Sequence, residues 1–197
     1  EMCIRDSITI TPLKNWNIIG ELNIKTDNNW THYEHKRVYS HMANDPEKTY
    51  VATMTGPSED KVYEYAYKSL FLNPNVYTNY DITLGQHTIA ATAGMQIERQ
   101  KYRDVSAQRA DMISTDLPVL NLTTSSQSYG ISGVVQEWAS AGFFGRINYD
   151  YAGRYLVEGN LRYDGSSRFR RGNRWILTPS FSLGWNIARE AFFESLA

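Results

Sequence analysis

The chain has 197 residues, 42% of them hydrophobic, which is ordinary for a folded protein rather than a disordered one, and its formal net charge of −1 gives no basic footprint of a nucleic-acid binder. No stretch approaches about 18 uninterrupted apolar residues, so no transmembrane helix is encoded. The single cysteine, Cys3, excludes an internal disulfide framework and a cysteine-based zinc site. Aromatic residues make up 13%, with 14 tyrosines and 5 tryptophans beside 7 phenylalanines. Rings with a polar tip suit boundaries that are half wet and half apolar. A β-barrel span stays open, because each barrel strand is short and only half apolar.

The opening EMCIRDS has no basic stretch, no apolar run and no small-residue cleavage site, so it is no secretion signal. It resembles the translation of a transposon-end adapter used in preparing sequencing libraries, and the natural sequence is expected to begin near Ile8. The chain stops at FFESLA without a closing strand, and residues 8–197 are expected to be an internal piece of a longer protein. Period-2 alternation then predicts seven strands, at 8–12, 15–33, 72–84, 87–103, 140–151, 154–165 and 174–187. In the second, Ile18, Leu22 and Ile24 oppose Glu21, Asn23, Lys25 and Asp27. In the fourth, Ile89, Ala91, Ala93, Met95 and Ile97 oppose Thr88, Thr92, Gln96 and Glu98. In the fifth, Phe143, Ile147, Tyr149 and Tyr151 oppose Arg146, Asn148 and Asp150.

The last two strands show what the faces are for. Tyr155, Val157, Gly159, Leu161 and Tyr163 share one face, with Leu156, Glu158, Asn160, Arg162 and Asp164 on the other. The next strand sets Trp175, Leu177, Pro179, Phe181, Leu183, Trp185 and Ile187 against Ile176, Thr178, Ser180, Ser182, Gly184 and Asn186, with Pro179 awkward for a ladder but tolerable at a bulge. A polar face of Asn, Ser, Thr and isolated charges of both signs suits a water-filled lumen better than bulk water. Arg146, Asn148, Asp150, Glu158, Asn160, Arg162 and Asp164 are therefore expected to line that lumen. Tyr155, Tyr163, Trp175 and Trp185 end the apolar rows and are expected to be membrane girdles.

Short and long connections alternate: about 12–15, 85–86 and 152–154 are short, 36–70 and 104–138 are long, and 165–173 is intermediate. Transmembrane barrels have short periplasmic turns and long outer loops, whereas a soluble meander has no reason for the difference. Strands 15–33 and 87–103 exceed the roughly 9–11 residues needed to cross and would project beyond the membrane. In the connection DGSSRFRRGN, Gly165 and Gly172 are expected to allow a tight backbone, and Arg168, Arg170 and Arg171 to meet anionic lipid. His32, His35 and His41 cluster in sequence, but side chains three apart on a strand point to opposite faces, so no metal site is expected. Asp150, Glu158 and Asp164 beside Arg146 and Arg162 read as cross-strand charge pairing rather than acid–base machinery. No nucleophile elbow, phosphate loop or dinucleotide fingerprint is present, so neither an enzyme nor a cofactor is expected.

Residues 143–193, FFGRINYDYAGRYLVEGNLRYDGSSRFRRGNRWILTPSFSLGWNIAREAFF, resemble the SusC/RagA family of TonB-linked outer-membrane transporters. The matching pieces are FGRINYDY, YLVEGNLRYDGSSRF, GNRW, PSFSLGWNI and EAFF; residues 8–103 fit more loosely. The resemblance implies a barrel of about 22 strands around an internal plug. It also implies a SusD-like surface lipoprotein as partner and import of glycans or peptides driven through TonB, ExbB and ExbD. ILTPS and the basic RFRRGN depart from the family's usual pattern. The rival readings are a soluble carbohydrate-binding β-sandwich and, within transport, a passive porin.

Overall fold

The computed structural model describes residues 1–51, 59–125 and 129–194. Nine strands account for most of it: β1 (Met2–Leu13), β2 (Trp16–His35), β3 (Tyr39–Met42), β4 (Asp45–Val51), β5 (Lys61–Leu84), β6 (His87–Ala110), β7 (Tyr129–Tyr151), β8 (Tyr155–Ser166) and β9 (Trp175–Trp185). A 3-10 turn at Ile187–Arg189 and one helical turn, Ala191–Glu194, follow. Seven strands form one unclosed antiparallel sheet in the order β1-β2-β5-β6-β7-β8-β9, and β3 and β4 make a separate hairpin. All seven expected strands are present. Five are longer than expected: β1 begins at Met2, β2 runs to His35, β5 begins at Lys61, β6 continues to Ala110 and β7 begins at Tyr129.

The turns follow from local chemistry. Asn15 has φ 67°, one of the few non-glycine residues able to take that conformation cheaply, and it closes β1–β2. Gly85 (φ 64°) opens the two-residue β5–β6 turn, as a type II′ hairpin requires of its first residue. Ala152 (φ 54°) and Gly153 (φ 65°) turn β7 into β8. Asp150 secures that turn by accepting the Gly153 N–H at 2.5 Å.

Contacts group the chain into two compact units, residues 1–26, 70–101 and 137–197 in the first, and 27–69 and 102–136 in the second. The first is a single layer, and the buried apolar residues Val62, Ala110 and Met112 all belong to the second. In the first unit β8 aligns Tyr155, Val157, Gly159, Leu161 and Tyr163 with Trp185, Leu183, Phe181, Pro179 and Leu177 of β9. The same β8 residues face Tyr151, Tyr149, Ile147, Gly145 and Phe143 of β7. The apolar halves of three strands thus form one continuous face. Pro179 stands opposite Leu161 in unbroken register, without a bulge. β9 is an edge of this sheet, and a missing N–H there costs at most one ladder bond.

In the second unit, β3 pairs with β4 from Tyr39↔Val51 to Met42↔Asp45, with a register shift next to the turn. Residues 111–125 hold the bridge Met112↔Thr123 and no helix.

Candidate functional site

The candidate site in the first unit is the polar face of β1, β2 and β5–β9. Arg146 Nη2 donates to Glu158 at 2.7 Å, and Asn160 Nδ2 donates to the other Glu158 oxygen at 2.6 Å. Arg162 grips Asp164 with two nitrogens, at 2.9 and 3.1 Å. Register puts Asn148 opposite Glu158 and Arg146 opposite Asn160. Six of the seven residues expected on a polar wall therefore stand on one face in two paired groups, while the Asp150 carboxylate is committed to the turn.

The same face continues through neighbouring strands. Glu98 accepts from Gln96 at 3.1 Å and from the Ser140 hydroxyl at 3.2 Å. Thr92 donates to Asn79 at 2.9 Å, Tyr77 to Glu21 at 3.2 Å, and Arg5 lies 3.5 Å from Glu21. Asn73, 8% exposed, receives Asn23 and Asn75 and donates to the Ile97 carbonyl at 3.1 Å. That last bond supplies a strand carbonyl with a donor beside Pro74, which has no N–H to offer. These pairs are mostly half exposed, so each contributes at most about 1 kcal/mol. Together they leave a hydrated surface with mixed, locally compensated charge.

The connection 167–174 folds over this polar face. Ser167 N–H donates to the Ala139 carbonyl at 2.8 Å, and Ala139 N–H donates to the Ser167 hydroxyl at 2.9 Å. The Arg168 guanidinium sits 4.7 Å from the centre of the Trp138 ring, whose indole N–H reaches Gln100 at 3.0 Å. Arg168 is thus turned onto the polar side. Arg174 Nε donates to the Phe169 carbonyl at 3.0 Å. Under this connection lies a cleft of about 470 Å³ bordered by Glu98, Ser140, Arg162, Asp164, Asn173 and Arg174. Ser140 and Trp138 were not legible as site residues, and Glu98 was legible only as part of a polar face, because strands far apart in sequence bring them together.

The opposite face is apolar and exposed. Ile147 is 58% exposed, Leu177 55%, Phe181 68% and Leu183 71%, a contiguous patch that a water-soluble sheet would have to cover. Rings gather at both ends of it. Trp175 stacks on Tyr163 at 4.8 Å and approaches Phe143 at 6.2 Å, while Tyr151 and Tyr155 stack at 6.2 Å. Beyond β9, Glu190 accepts from the Tyr155 hydroxyl at 2.7 Å and the Trp185 indole at 3.0 Å, and the Tyr155 bond, with Trp185 assisting, holds its carboxyl below the usual range.

Elsewhere two of the four histidines are hydrogen-bonded separately: His32 to Glu64 at 2.6 Å and His87 to the Tyr149 hydroxyl at 2.7 Å. Among the described residues no group of three or more His, Cys, Asp or Glu could hold a metal ion.

An unclosed antiparallel sheet with one exposed apolar face, one polar face, tight turns at one end and long connections at the other is a piece of outer-membrane β-barrel wall. The chain belongs to the TonB dependent receptor-like, beta-barrel family, whose model matches residues 6–195. TonB-dependent receptor P3 of Formosa agariphila is 26% identical over 146 residues, 74% of this chain and 14% of P3. TonB-dependent receptor SusC of Bacteroides thetaiotaomicron is 48% identical over 54 residues, 27% of this chain and 5% of SusC. The structure titled RagAB peptide transporter superposes with a TM-score of 0.81 at 21% identity, over 98% of this chain and 20% of that one. The chain therefore spans a small part of each relative's length. It is a segment of outer-membrane β-barrel wall, its named relatives are receptors rather than enzymes, and the β-sandwich reading is overturned.

Proposed function

We propose that this chain is part of the wall of an active importer for nutrients too large for passive pores, glycans or peptides. Import would be energised through TonB, ExbB and ExbD and capped by a SusD-like surface lipoprotein. The observation that carries the reading is the two-faced single sheet in a chain of this family. The polar face, with Arg146, Asn148, Glu158, Asn160, Arg162 and Asp164, lines the lumen, and the apolar face meets lipid. The tight turns are periplasmic and the long connections face outward. Tyr163 and Trp175 then mark the outer girdle, and Tyr155 and Trp185 the periplasmic one. Strands of 20 to 24 residues, such as β2 and β6, continue well past the apolar layer.

Residues 1–7 remain, in this reading, an adapter translation. Asp6 supports it: in register with Leu22 it interrupts a row of Ile4, Ile8 and Ile10 that would face lipid, where a carboxylate is unfavourable. Re-amplification of the genomic locus should show a different sequence ahead of Ile8, and recovery of EMCIRDS there would refute the assignment.

Single cysteines in the native outer-membrane protein test the faces. A membrane-impermeant maleimide should label Asn160→Cys and Arg146→Cys, and should leave Leu177→Cys and Phe181→Cys to a lipid-soluble probe. The opposite pattern would reverse the faces. Uptake of the nutrient should stop when TonB is deleted, whereas uptake that survives would restore the passive-pore reading.

A further inference from the structure

The second unit carries a cluster of tyrosines that the barrel wall itself does not require. Tyr63, Tyr65 and Tyr67 alternate along β5 and so share one face, about 7 Å apart. Tyr33 of β2 stacks on Tyr63 at 4.5 Å, and His35 lies 5.4 Å from Tyr33. Tyr102 of β6 lies 5.8 Å from the Tyr67 ring, and its hydroxyl meets that of Tyr65 at 2.8 Å. The Tyr67 hydroxyl donates to Asp27 at 2.9 Å. Five phenol rings are thereby gathered on one face with defined orientations, and Tyr33 is 44% exposed.

We propose that this tyrosine row is a binding surface for an uncharged saccharide chain; the proposal rests on the reading of the chain as an importer wall. The rings offer flat apolar area at small entropic cost, which matches the C–H faces of sugar rings. A phenol hydroxyl both donates and accepts, so the Tyr65–Tyr102 pair, in which one hydroxyl donates to the other, can also take part in bonds to a sugar hydroxyl. Two carboxylates touch the row, Asp27 beside Tyr67 and Asp104 beside Tyr102, and His35 stands at its Tyr33 end. The carboxylates accept from sugar hydroxyls and repel an acidic polymer. An extended peptide draws much of its affinity from main-chain bonds to a free strand edge. β2, β5 and β6 are interior strands, so they offer no such edge.

The test is binding by the purified full-length outer-membrane protein to an array of neutral oligosaccharides, acidic oligosaccharides and peptides of three to ten residues. Neutral oligosaccharides should bind. Tyr33→Ala and Tyr63→Ala should each weaken that binding about five- to tenfold, with Tyr33→Trp restoring it. Binding of peptides alone, binding untouched by both alanine variants, or no binding by a protein that shows the expected cysteine-labelling pattern would each overturn the saccharide site. The last outcome leaves the importer-wall reading intact, and a failed labelling pattern removes that reading independently.

Discussion

At Gly165 an ideal Cβ would lie 2.6–2.7 Å from three carbons of the Trp175 indole, its register partner. The ring lies flat on bare backbone, and this position needs the absence of a side chain rather than a special φ. Gly172, by contrast, has φ 100° and open space around it. It is the residue that makes the turn, and the sequence expectation that both glycines serve the turn holds for one of them. Gly165→Ala should lift the indole and cost about 1–3 kcal/mol, with altered tryptophan emission. Gly172→Ala should cost about 1–2 kcal/mol through strain alone, with emission unchanged. Thermal unfolding and fluorescence of the native protein in detergent distinguish them, and identical spectra for both variants would remove the role given to Trp175. Gly142 repeats the first pattern on the polar side, where a Cβ would collide with Asp164 Oδ1.

Among elements, the end of β9 is where pH should act. Glu190 is held by Tyr155 and Trp185, and its carboxyl is depressed, so the stabilisation is complete above the ordinary carboxylate pKa of about 4.3. It fades as pH falls through the lower native value. Glu190→Gln should lower the midpoint of thermal unfolding at pH 7 and lessen the difference from the parent at pH 3; a constant difference between the two would argue against the charged pairing. The sheet's strands were legible wherever one face is apolar, as in β8 and β9. They were not legible at 61–71 or 104–110. There β5 reads KVYEYAYKSLF, tyrosine against Glu64 and Lys68, and β6 reads DVSAQRA, so no hydrophobic period exists. Pairing with neighbours rather than intrinsic preference makes these segments strand. The β3–β4 hairpin escaped for a related reason: its signal is only the turn chemistry of Asn44 and Asp45 before Pro46. For the site, period-2 spacing revealed the Arg146–Glu158–Asn160 and Arg162–Asp164 groups. The Arg168–Trp138 contact depends on how a connection folds back, which spacing does not encode.

For the molecule as a whole, the open edges at β1 and β9 decide what the chain can do alone. Unpaired strand edges are not tolerated in lipid, and an exposed apolar face without lipid promotes aggregation. Residues 1–197 refolded by themselves into detergent should yield no heat-resistant species on a gel; a discrete, heat-modifiable monomer would show that the segment closes without further strands. The ordering of the sheet has another consequence. Leaving aside the β3–β4 side hairpin, strands lie beside one another in the order in which they are synthesised. The newest strand always finds its partner in the one just made, so the wall can be laid down hairpin by hairpin. Losing one strand would send every later turn to the wrong end, whereas losing two preserves sidedness. The smallest heritable change in the size of such a wall is therefore a hairpin.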